Sequence, residues 1–380
     1  MQPSNVCQSI PPSGIREVFN RIAENKDVIS FALGEPDFTT PAPFIEAAIK
    51  TLGEGKTHYT PNAGLYALRS AIANSYENGR YTPEQVVVTA GATEAILLTL
   101  MALVDPGDEV IVSEPFWPAY IGQILTCGGV PRFVRTFEKD NFSLKPEQVE
   151  KVITPKTRFI IINSPTNPSG AVTPKEDLRA LADLVIKHNL IVLTDEVYRR
   201  ILYEGTFASI TDFEDMRDRC VILDSFSKTY AMTGWRIGYA IAPENIAKAM
   251  TKMHENTSSC VSAFAQAAAI KALEEGEPYI RGMLREFTTR RDLVVEGIRS
   301  IPRLSTIKPA GAFYLYFNIS DTGMKARDFV LSLLEKNKVA LVPGSAFGEE
   351  QENYIRMSYA TSQNNLLKGL ERISDFVSKI

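Results

Sequence analysis

The chain has 380 residues, of which 44% are hydrophobic and 23% charged, and its net charge is −4. This length allows two packed units, and the slightly acidic balance argues against binding to nucleic acid or to an anionic membrane. The four cysteines form no CxxC pair, no signal-peptide pattern opens the chain, and the apolar runs are too short for a membrane span. We therefore expect a cytoplasmic protein without a zinc knuckle or a disulfide framework.

Short apolar runs alternate with helical patterns through the middle of the chain. In chain order, we predict strands at residues 86–88, 110–112, 133–134, 159–162, 190–193 and 221–223. The helices predicted between them cover residues 93–104, 145–152 and 173–185, the last with a proline near its start. Because the strands are almost continuously apolar and follow a βα order, the sequence predicts an α/β fold. Its sheet should be mostly parallel and covered by helices on both faces.

The pattern changes after Arg236. Residues 243 to about 300 are mainly helical in pattern, and they are followed by predicted strands at 312–317 and 354–359 and helices at 325–336 and 362–379. This succession predicts a second, smaller α+β domain. We expect that domain to include the N-terminal segment.

The most informative segment runs from Ser225 to Gly238. Lys228 follows a predicted buried strand, with serines before it and Arg236 eight residues after it. A lysine at a strand end can attack a carbonyl carbon, and serines with an arginine suit a phosphate. Pyridoxal 5′-phosphate (PLP) is an aldehyde cofactor that would use all of these groups. A lone lysine near a strand end is usually only solvated, so this interpretation needs the other parts of a PLP site.

Polar residues follow three other predicted strands. The Gly91-Ala92-Thr93-Glu94 run opens a helix, where backbone N–H groups can bind a phosphate. Asp195 follows the strand at 190–193, where a buried aspartate can keep a pyridine nitrogen protonated. Asn167 lies in the turn after the strand at 159–162 and can donate to a phenolic oxygen or a carboxylate. Taken alone, each of these residues is more typical of a turn or a helix cap.

Three larger side chains complete the candidate site. Tyr198 comes three residues after Asp195 and can reach the same neighbourhood. Trp117 follows the strand at 110–112 and can stack on a pyridine ring, although a core tryptophan is as common. Arg356 lies on the polar face of a predicted strand and suits a carboxylate, although an exposed edge-strand charge would show the same pattern.

In their order along nearly the whole chain, these motifs resemble those of a single family. The chain is similar to class I, fold-type I PLP-dependent aminotransferases of the aspartate/aromatic aminotransferase superfamily. The matching segments are Leu33-Gly34-Glu35-Pro36-Asp37-Phe38, Tyr59-Thr60-Pro61-Asn62-Ala63-Gly64, Gly91-Ala92-Thr93, Asn167-Pro168-Ser169-Gly170, Asp195-Glu196-Val197-Tyr198, Ser227-Lys228-Thr229, Gly234-Trp235-Arg236-Ile237-Gly238, Lys308-Pro309-Ala310-Gly311-Ala312-Phe313-Tyr314 and Arg356-Met357-Ser358.

The resemblance implies a role for each candidate residue and no metal site. Lys228 binds the cofactor aldehyde and moves the proton between the substrate Cα and the cofactor C4′, and Asp195 and Tyr198 are the other catalytic residues. The implied cofactor-binding residues are Gly91, Ala92, Thr93, Trp117, Asn167, Asp195, Tyr198, Ser225, Lys228 and Arg236, together with Tyr59 from the neighbouring subunit. The implied ligands of the substrate α-carboxylate are Gly34, Asn167 and Arg356.

The resemblance also implies the architecture and the partners. A large PLP-binding domain at residues 41–290 should surround a mostly parallel seven-stranded sheet, and a small α+β domain should combine residues 1–40 and 291–380. The protein should be a homodimer whose active sites lie at the subunit interface. Its small-molecule partners should be an L-amino acid and a 2-oxo acid, the latter expected to be 2-oxoglutarate.

The preferred amino acid stays open at this point. Some aspartate-specific bacterial members carry a lysine where this chain has Thr93, which argues against strict aspartate specificity. The segments at residues 13–16 and 254–260 resemble members that act on aromatic amino acids or on N-acetyl-diaminopimelate. A PLP-dependent C–S β-lyase on the same scaffold is the alternative enzyme. A transcription regulator with an aminotransferase-like domain is not favoured, because the chain lacks a basic patch.

Overall fold

A computed structural model of the chain describes residues 1–11, 14, 22, 27–76 and 79–380. In this part of the chain the strands are β1 (Ile29–Ser30), β2 (Val86–Thr89), β3 (Glu109–Glu114), β4 (Val130–Arg135), β5 (Thr157–Asn163), β6 (Ile191–Asp195), β7 (Cys220–Ser225), β8 (Gly238–Ile241), β9 (Ser305–Thr306), β10 (Tyr314–Asn318), β11 (Val339–Ala340), β12 (Val342–Pro343) and β13 (Tyr354–Ser358). The described α-helices are α1 (Asn5–Ser9), α2 (Ala42–Gly53), α3 (Tyr66–Asn74), α4 (Ala92–Leu103), α5 (Ala119–Thr126), α6 (Pro146–Glu150), α7 (Lys175–Lys187), α8 (Phe226–Thr229), α9 (Glu244–Glu255), α10 (Ala263–Glu275), α11 (Glu277–Ser300), α12 (Ala326–Asn337) and α13 (Gln363–Val377).

The central sheet has seven strands in the spatial order β2–β8–β7–β6–β5–β3–β4. Strand β8 runs antiparallel to both of its neighbours, and the other neighbouring pairs are parallel. Strands β2, β7 and β8 are buried at every position, because helices cover both faces of the sheet. The predicted α/β fold with a mostly parallel seven-stranded sheet is confirmed.

Alternate residues of the strands pack on opposite faces of this sheet. Val110 and Val112 of β3 belong to one apolar cluster, which includes residues of α4, α5 and α9. Ile111 between them packs with residues of α7 on the other face. Since the parallel strands all point the same way, the loops that follow β2, β3, β5, β6 and β7 emerge at one edge of the sheet.

A second, smaller layer combines both ends of the chain. Strands β12, β13, β10 and β9 form an antiparallel sheet in that order, and β1 pairs in parallel with β11. Helices α11, α12 and α13 pack with it around an apolar cluster that includes Phe31, Phe313 and Phe329. The predicted boundary between residues 290 and 291 falls inside α11. The division into residues 41–290 and residues 1–40 with 291–380 stays a prediction.

Several elements were not predicted, namely the strands β1, β8, β9, β11 and β12 and the helices α1, α2, α3, α5 and α8. Strand β8 has only four residues, which is too short for a recognisable apolar period. The single helical stretch predicted from residue 243 is divided into α9, α10 and α11, with Gly276 separating the last two. None of the helices in the described part of the chain is both long and apolar enough to cross a membrane.

Candidate active site

A cavity of about 230 Å³ opens where the carboxyl ends of the parallel strands approach the smaller sheet. It brings together most of the residues predicted for the site, namely Gly34, Ala92, Thr93, Trp117, Asn167, Asp195, Tyr198, Ser225, Lys228, Arg236 and Arg356. Gly91 lies just outside the wall, next to Ala92. Tyr59 does not line the cavity of its own chain, and its side chain is 92% exposed.

Lys228 lies in the wall because β7 is followed at once by the short helix α8. Ser225 caps this helix, and its hydroxyl accepts a hydrogen bond from the Ser227 N–H at 3.3 Å. The Lys228 ammonium donates to the carbonyl oxygen of Gly34. Burial is the main cause that lowers the pKa of Lys228 to about 8, with smaller contributions from Arg356 and Arg236 and an opposing effect of the Glu35 and Asp195 carboxylates. About a tenth of this amine is therefore neutral and nucleophilic at pH 7, far more than for an ordinary lysine.

One end of the cavity combines a helix N-terminus with an arginine. Gly91 caps α4 in the left-handed region with φ +85°, and a Cβ there would lie 2.7 Å from Nη2 of Arg236. The Arg236 guanidinium donates to the carbonyl oxygens of Thr233 at 2.9 Å and Ala90 at 3.2 Å. An arginine has five N–H donors, so others stay available beside the first N–H groups of the helix. This end suits a phosphate.

The floor of the cavity holds a buried carboxylate. The Tyr120 hydroxyl donates to Oδ2 of Asp195 at 2.5 Å, and the Val197 N–H donates to Oδ1 at 3.3 Å. Burial raises the pKa of Asp195 to about 6, while the hydrogen bond from Tyr120 holds it down. Asp195 is therefore mainly ionised at pH 7 and can pair with a protonated ring nitrogen.

The turn after β5 connects Asp195 with Asn167. Asn163 lies opposite Asp195 in the sheet, and its amide donates to the Asp195 carbonyl oxygen at 3.1 Å. The Asn163 Oδ1 accepts the Asn167 N–H at 2.9 Å. Trp117 reaches the cavity from the loop after β3, and its ring meets Tyr120 edge to face at a centroid distance of 5.4 Å. The wall thus presents a flat aromatic ring and an amide close to the buried carboxylate.

The opposite end of the cavity holds a buried arginine from the smaller sheet. Arg356 is 2% exposed and donates to Oδ1 of Asn167 at 3.0 Å and to the carbonyl oxygen of Ala32 at 2.6 Å. Its guanidinium lies over the rings of Tyr314 and Phe347, at 4.6 and 4.9 Å from their centroids. Its Nε has no hydrogen-bond partner, and burial lowers its pKa.

Within the described residues, no carboxylate lies at ion-pair distance from Arg356. A buried charge without a counterion is costly, and a bound anion offsets that cost. This end of the cavity therefore suits the carboxylate of a ligand.

The cavity also contains residues that the sequence did not single out, namely Ala32, Leu33, Tyr120, Asn163, Val197, Ser227, Thr233 and Tyr314. Among these, Tyr314 makes the clearest contacts with residues of the site. Its hydroxyl lies 2.8 Å from that of Tyr198 and packs tightly against Gly34. It stands at the end of a motif that carried the family resemblance. No residue pattern indicated that its hydroxyl reaches the site.

The arrangement fits PLP at each of its reactive parts. The α4 N-terminus and Arg236 offer donors for the phosphate, Asp195 offers a carboxylate for the ring nitrogen, and Lys228 offers an amine for the aldehyde. The unpaired Nε of Arg356 lies at the far end, where a substrate carboxylate would bind. In the described part of the chain, no group of acidic, histidine or cysteine side chains is arranged to hold a metal ion.

Comparison with known proteins identifies the family. Residues 26–373 match the family described as aminotransferase class I and II. An aspartate aminotransferase of Thermotoga maritima is 43% identical over 94% of this chain and 93% of its own length. Aromatic-amino-acid aminotransferase 2 of Thermococcus litoralis is 38% identical over 98% of this chain and 97% of its own length.

A solved structure has the same fold over its full length. The aspartate aminotransferase from Thermus thermophilus with maleate superposes with a TM-score of 0.93, at 37% identity and with 99% of each chain covered. The predicted family resemblance is thus confirmed. The chain belongs to the aminotransferase class I and II family and is a PLP-dependent enzyme that transfers amino groups between amino acids and 2-oxo acids.

Proposed function

We propose that Lys228 is the residue that carries PLP and moves the proton at the substrate Cα. The observation that supports this most directly is that Lys228 lines one cavity together with Arg236 and Arg356, both of which help to lower its pKa to about 8. A lysine that is partly neutral near pH 7 can attack an aldehyde and, once released, can accept a proton. PLP, when bound, accepts the electron pair that the substrate Cα–H bond releases.

The other residues of the cavity bind and orient. Asp195 holds a proton on the ring nitrogen, and the Tyr120 hydroxyl keeps Asp195 ionised for that purpose. Tyr198 and Asn167 contact the phenolic oxygen, and Trp117 stacks on the ring. The phosphate is held by the backbone N–H groups after Gly91 (Ala92 and Thr93), by Ser225 and by Arg236. The substrate α-carboxylate is held by Arg356, Asn167 and the backbone of Gly34.

The preferred amino donor is proposed to be an aromatic L-amino acid. Among the described residues that line the cavity, the cationic side chains are Lys228, Arg236 and Arg356, and each of them already has a proposed partner. A donor such as aspartate would bring a second carboxylate, and an unpaired buried charge is costly. Thr93, at the position where some aspartate-specific members carry lysine, offers no charge. The acceptor is proposed to be 2-oxoglutarate, on the family resemblance alone.

A donor panel tests this assignment. L-phenylalanine, L-tyrosine, L-aspartate and N-acetyl-diaminopimelate are compared as donors, each with 2-oxoglutarate and with pyruvate as acceptors. We expect kcat/KM for the aromatic donors to exceed that for aspartate by about tenfold or more. Thr93→Lys should raise the value for aspartate, whereas the uncharged Thr93→Met should not. A wild-type preference for aspartate would refute the donor assignment and leave the aminotransferase activity untouched.

The lysine assignment is tested independently. Borohydride reduction of the holoenzyme followed by peptide mapping should attach the cofactor to Lys228 alone. Lys228→Ala should abolish turnover, while Lys252→Ala, a change at an exposed lysine of α9, should leave it intact. A label on any other lysine would exclude Lys228 as the attachment site. Release of pyruvate and ammonia from L-cystathionine without a 2-oxo acid would favour the C–S β-lyase alternative.

A homodimer with shared sites is also proposed. Tyr59 is 92% exposed and does not line the cavity of its own chain. It nevertheless lies in a segment that resembles a motif of the family, in which the tyrosine is implied to bind the cofactor phosphate. A tyrosine this exposed is available to a neighbouring subunit. A cytoplasmic location is supported by the four cysteines, all of which are free thiols.

A further inference from the structure

A buried histidine lies behind the phosphate end of the cavity and has no role in the proposed chemistry. His254 on α9 is fully buried, and its Nδ1 lies 2.8 Å from the carbonyl oxygen of Asn62. A carbonyl oxygen only accepts, so Nδ1 carries a proton. The other nitrogen, Nε2, has no hydrogen-bond partner and lies 3.4 Å from Oε2 of Glu94.

Both ring nitrogens of His254 therefore face acceptors. In a neutral imidazole with its proton on Nδ1, the lone pair of Nε2 would point at a carboxylate oxygen. In an imidazolium, Nε2 carries a second proton and faces the carboxylate favourably. The geometry favours the imidazolium.

Glu94 occupies the first turn of α4, the helix whose N-terminus is proposed to hold the phosphate. Its Oε2 accepts the Ala90 N–H at 2.5 Å, and its Oε1 accepts the hydroxyl of Ser258. These bonds fix the carboxylate at the positive end of the helix dipole. A phosphate bound at the same helix end would meet this like charge, which weakens binding unless a cation compensates it.

His254 is the candidate for that cation. Helix α4 carries no titratable side chain besides Glu94, and strand β2, which packs against α9, carries none. The 3-10 turn Pro83–Gln85 contributes only Glu84, which is exposed, and the loop with Asn62 contributes His58 and Tyr59, both exposed. Along α9 itself, the charged side chains of Glu244, Lys248, Lys252 and Glu255 are exposed.

We propose that His254 is a positioning residue for the cofactor phosphate, which it serves by neutralising Glu94 at the N-terminus of α4. The inference rests on the proposed assignment of the phosphate to that helix end. Asn62 and Ser258 complete the arrangement, since they hold the imidazole and the carboxylate from the other side. Through its contacts with Asn62 and Glu94, His254 thus connects the loop at residues 57–62 with α4, the helix proposed to bind the phosphate.

The charge of His254 can be measured directly. The chain has three histidines, so ¹⁵N-histidine labelling of the holoenzyme gives a spectrum with few signals, which His58→Gln and His188→Gln assign. We expect the spectrum of the wild-type holoenzyme to show a proton on both nitrogens of His254, and that of Glu94→Gln to show a proton on Nδ1 alone. A neutral imidazole in the wild-type holoenzyme would overturn the proposal.

A double-mutant cycle tests the effect on the phosphate. Dissociation constants of PLP and of pyridoxal, which lacks the phosphate, are measured on the cofactor-free chain. His254→Gln should raise the dissociation constant of PLP by about five- to tenfold, the size expected for one charge interaction at a helix terminus. The dissociation constant of pyridoxal should not change, because pyridoxal has no phosphate. Glu94→Gln added to His254→Gln should restore the wild-type value to within about twofold. His188→Gln, at the end of α7, is the matched control.

The outcomes distinguish an error in the role inferred for His254 from an error in the phosphate assignment on which it rests. If Arg236→Gln leaves PLP binding unchanged, the phosphate assignment is wrong and the inference falls with it. If Arg236→Gln weakens PLP and His254→Gln does not, only the inference is refuted. A double variant no better than His254→Gln would mean that the histidine acts through packing and not through charge, which also refutes it.

Discussion

The hydroxyl of Tyr120 is expected to set the pH range in which the protein binds its cofactor. Tyr120→Phe removes the 2.5 Å hydrogen bond to Asp195 and leaves the ring in its buried position. A hydrogen bond to a charged group contributes about 1.5–3 kcal/mol. Since about 1.4 kcal/mol corresponds to one pKa unit, the pKa of Asp195 should rise from about 6 to roughly 7–8.

The sign of the effect on binding follows from the charge of Asp195. In the proposed site the ring nitrogen of PLP pairs with the carboxylate, so affinity should be full above the pKa of Asp195 and should fall as the pH drops through it. In the wild type this loss is centred near pH 6, and in Tyr120→Phe it should be centred near pH 7–8. At pH 7 the variant should bind PLP about two- to tenfold more weakly, and at pH 9 the two proteins should agree.

The assay is a titration of the cofactor-free chain with PLP between pH 5 and 9, followed by quenching of tryptophan fluorescence. The ionisations of PLP itself are common to both proteins and cancel in the ratio of their dissociation constants. Tyr239→Phe is the matched control, since that hydroxyl donates to Asp224 at 3.0 Å. Identical pH profiles for the wild type and Tyr120→Phe would refute the claim that Tyr120 keeps Asp195 ionised.

Three further outcomes are expected. Arg356→Ala should lower kcat/KM for every donor by roughly 30- to 900-fold, which corresponds to a loss of about 2–4 kcal/mol, and a defect confined to dicarboxylic substrates would mean that Arg356 recognises the substrate side chain instead. Gly34→Ala places a methyl group against the hydroxyl of Tyr314 and should destabilise the protein by about 1–3 kcal/mol in denaturant unfolding, unlike Gly53→Ala, which meets open space. Remixing Lys228→Ala and Tyr59→Ala subunits, if both parents are inactive, should restore about a quarter of wild-type activity, because half the dimers are mixed and half their sites intact. No gain on remixing would place Tyr59 and Lys228 in the same subunit's site.

The location of the site could be predicted because parallel strands have a simple sequence pattern. Each is an apolar run that ends in polar residues, and the carboxyl ends of all such strands meet at one edge. This pattern predicts that the residues after three separate apolar runs lie together, namely Asp195, Asn167 and Lys228. The structure brings them into one cavity. Strand β8 could not be predicted in this way, because it is four residues long and runs antiparallel to β7.

Side chains that reach the site from apolar helices and strands could not be predicted. Tyr120 lies on α5 among Ala119, Ile121 and Ile124, a spacing typical of a core-facing helix. Its bond to Asp195 depends on how α5 is rotated against β6, which the sequence pattern does not specify. Tyr314 raises the same difficulty on β10, where every residue from Tyr314 to Phe317 is buried and strand alternation cannot separate core from site.

The charges around Lys228 connect the two ends of the cavity. Burial lowers its pKa most, and the next contributions in that direction come from Arg356 and Arg236. These are the two arginines proposed to bind the substrate carboxylate and the cofactor phosphate. Once both anions are bound, the positive charge of each arginine is compensated, and its effect on the lysine is reduced. Lys228 should therefore be a weaker base in the cofactor-free protein, where it must be neutral to attack an aldehyde, than in the loaded site, where it must accept a proton.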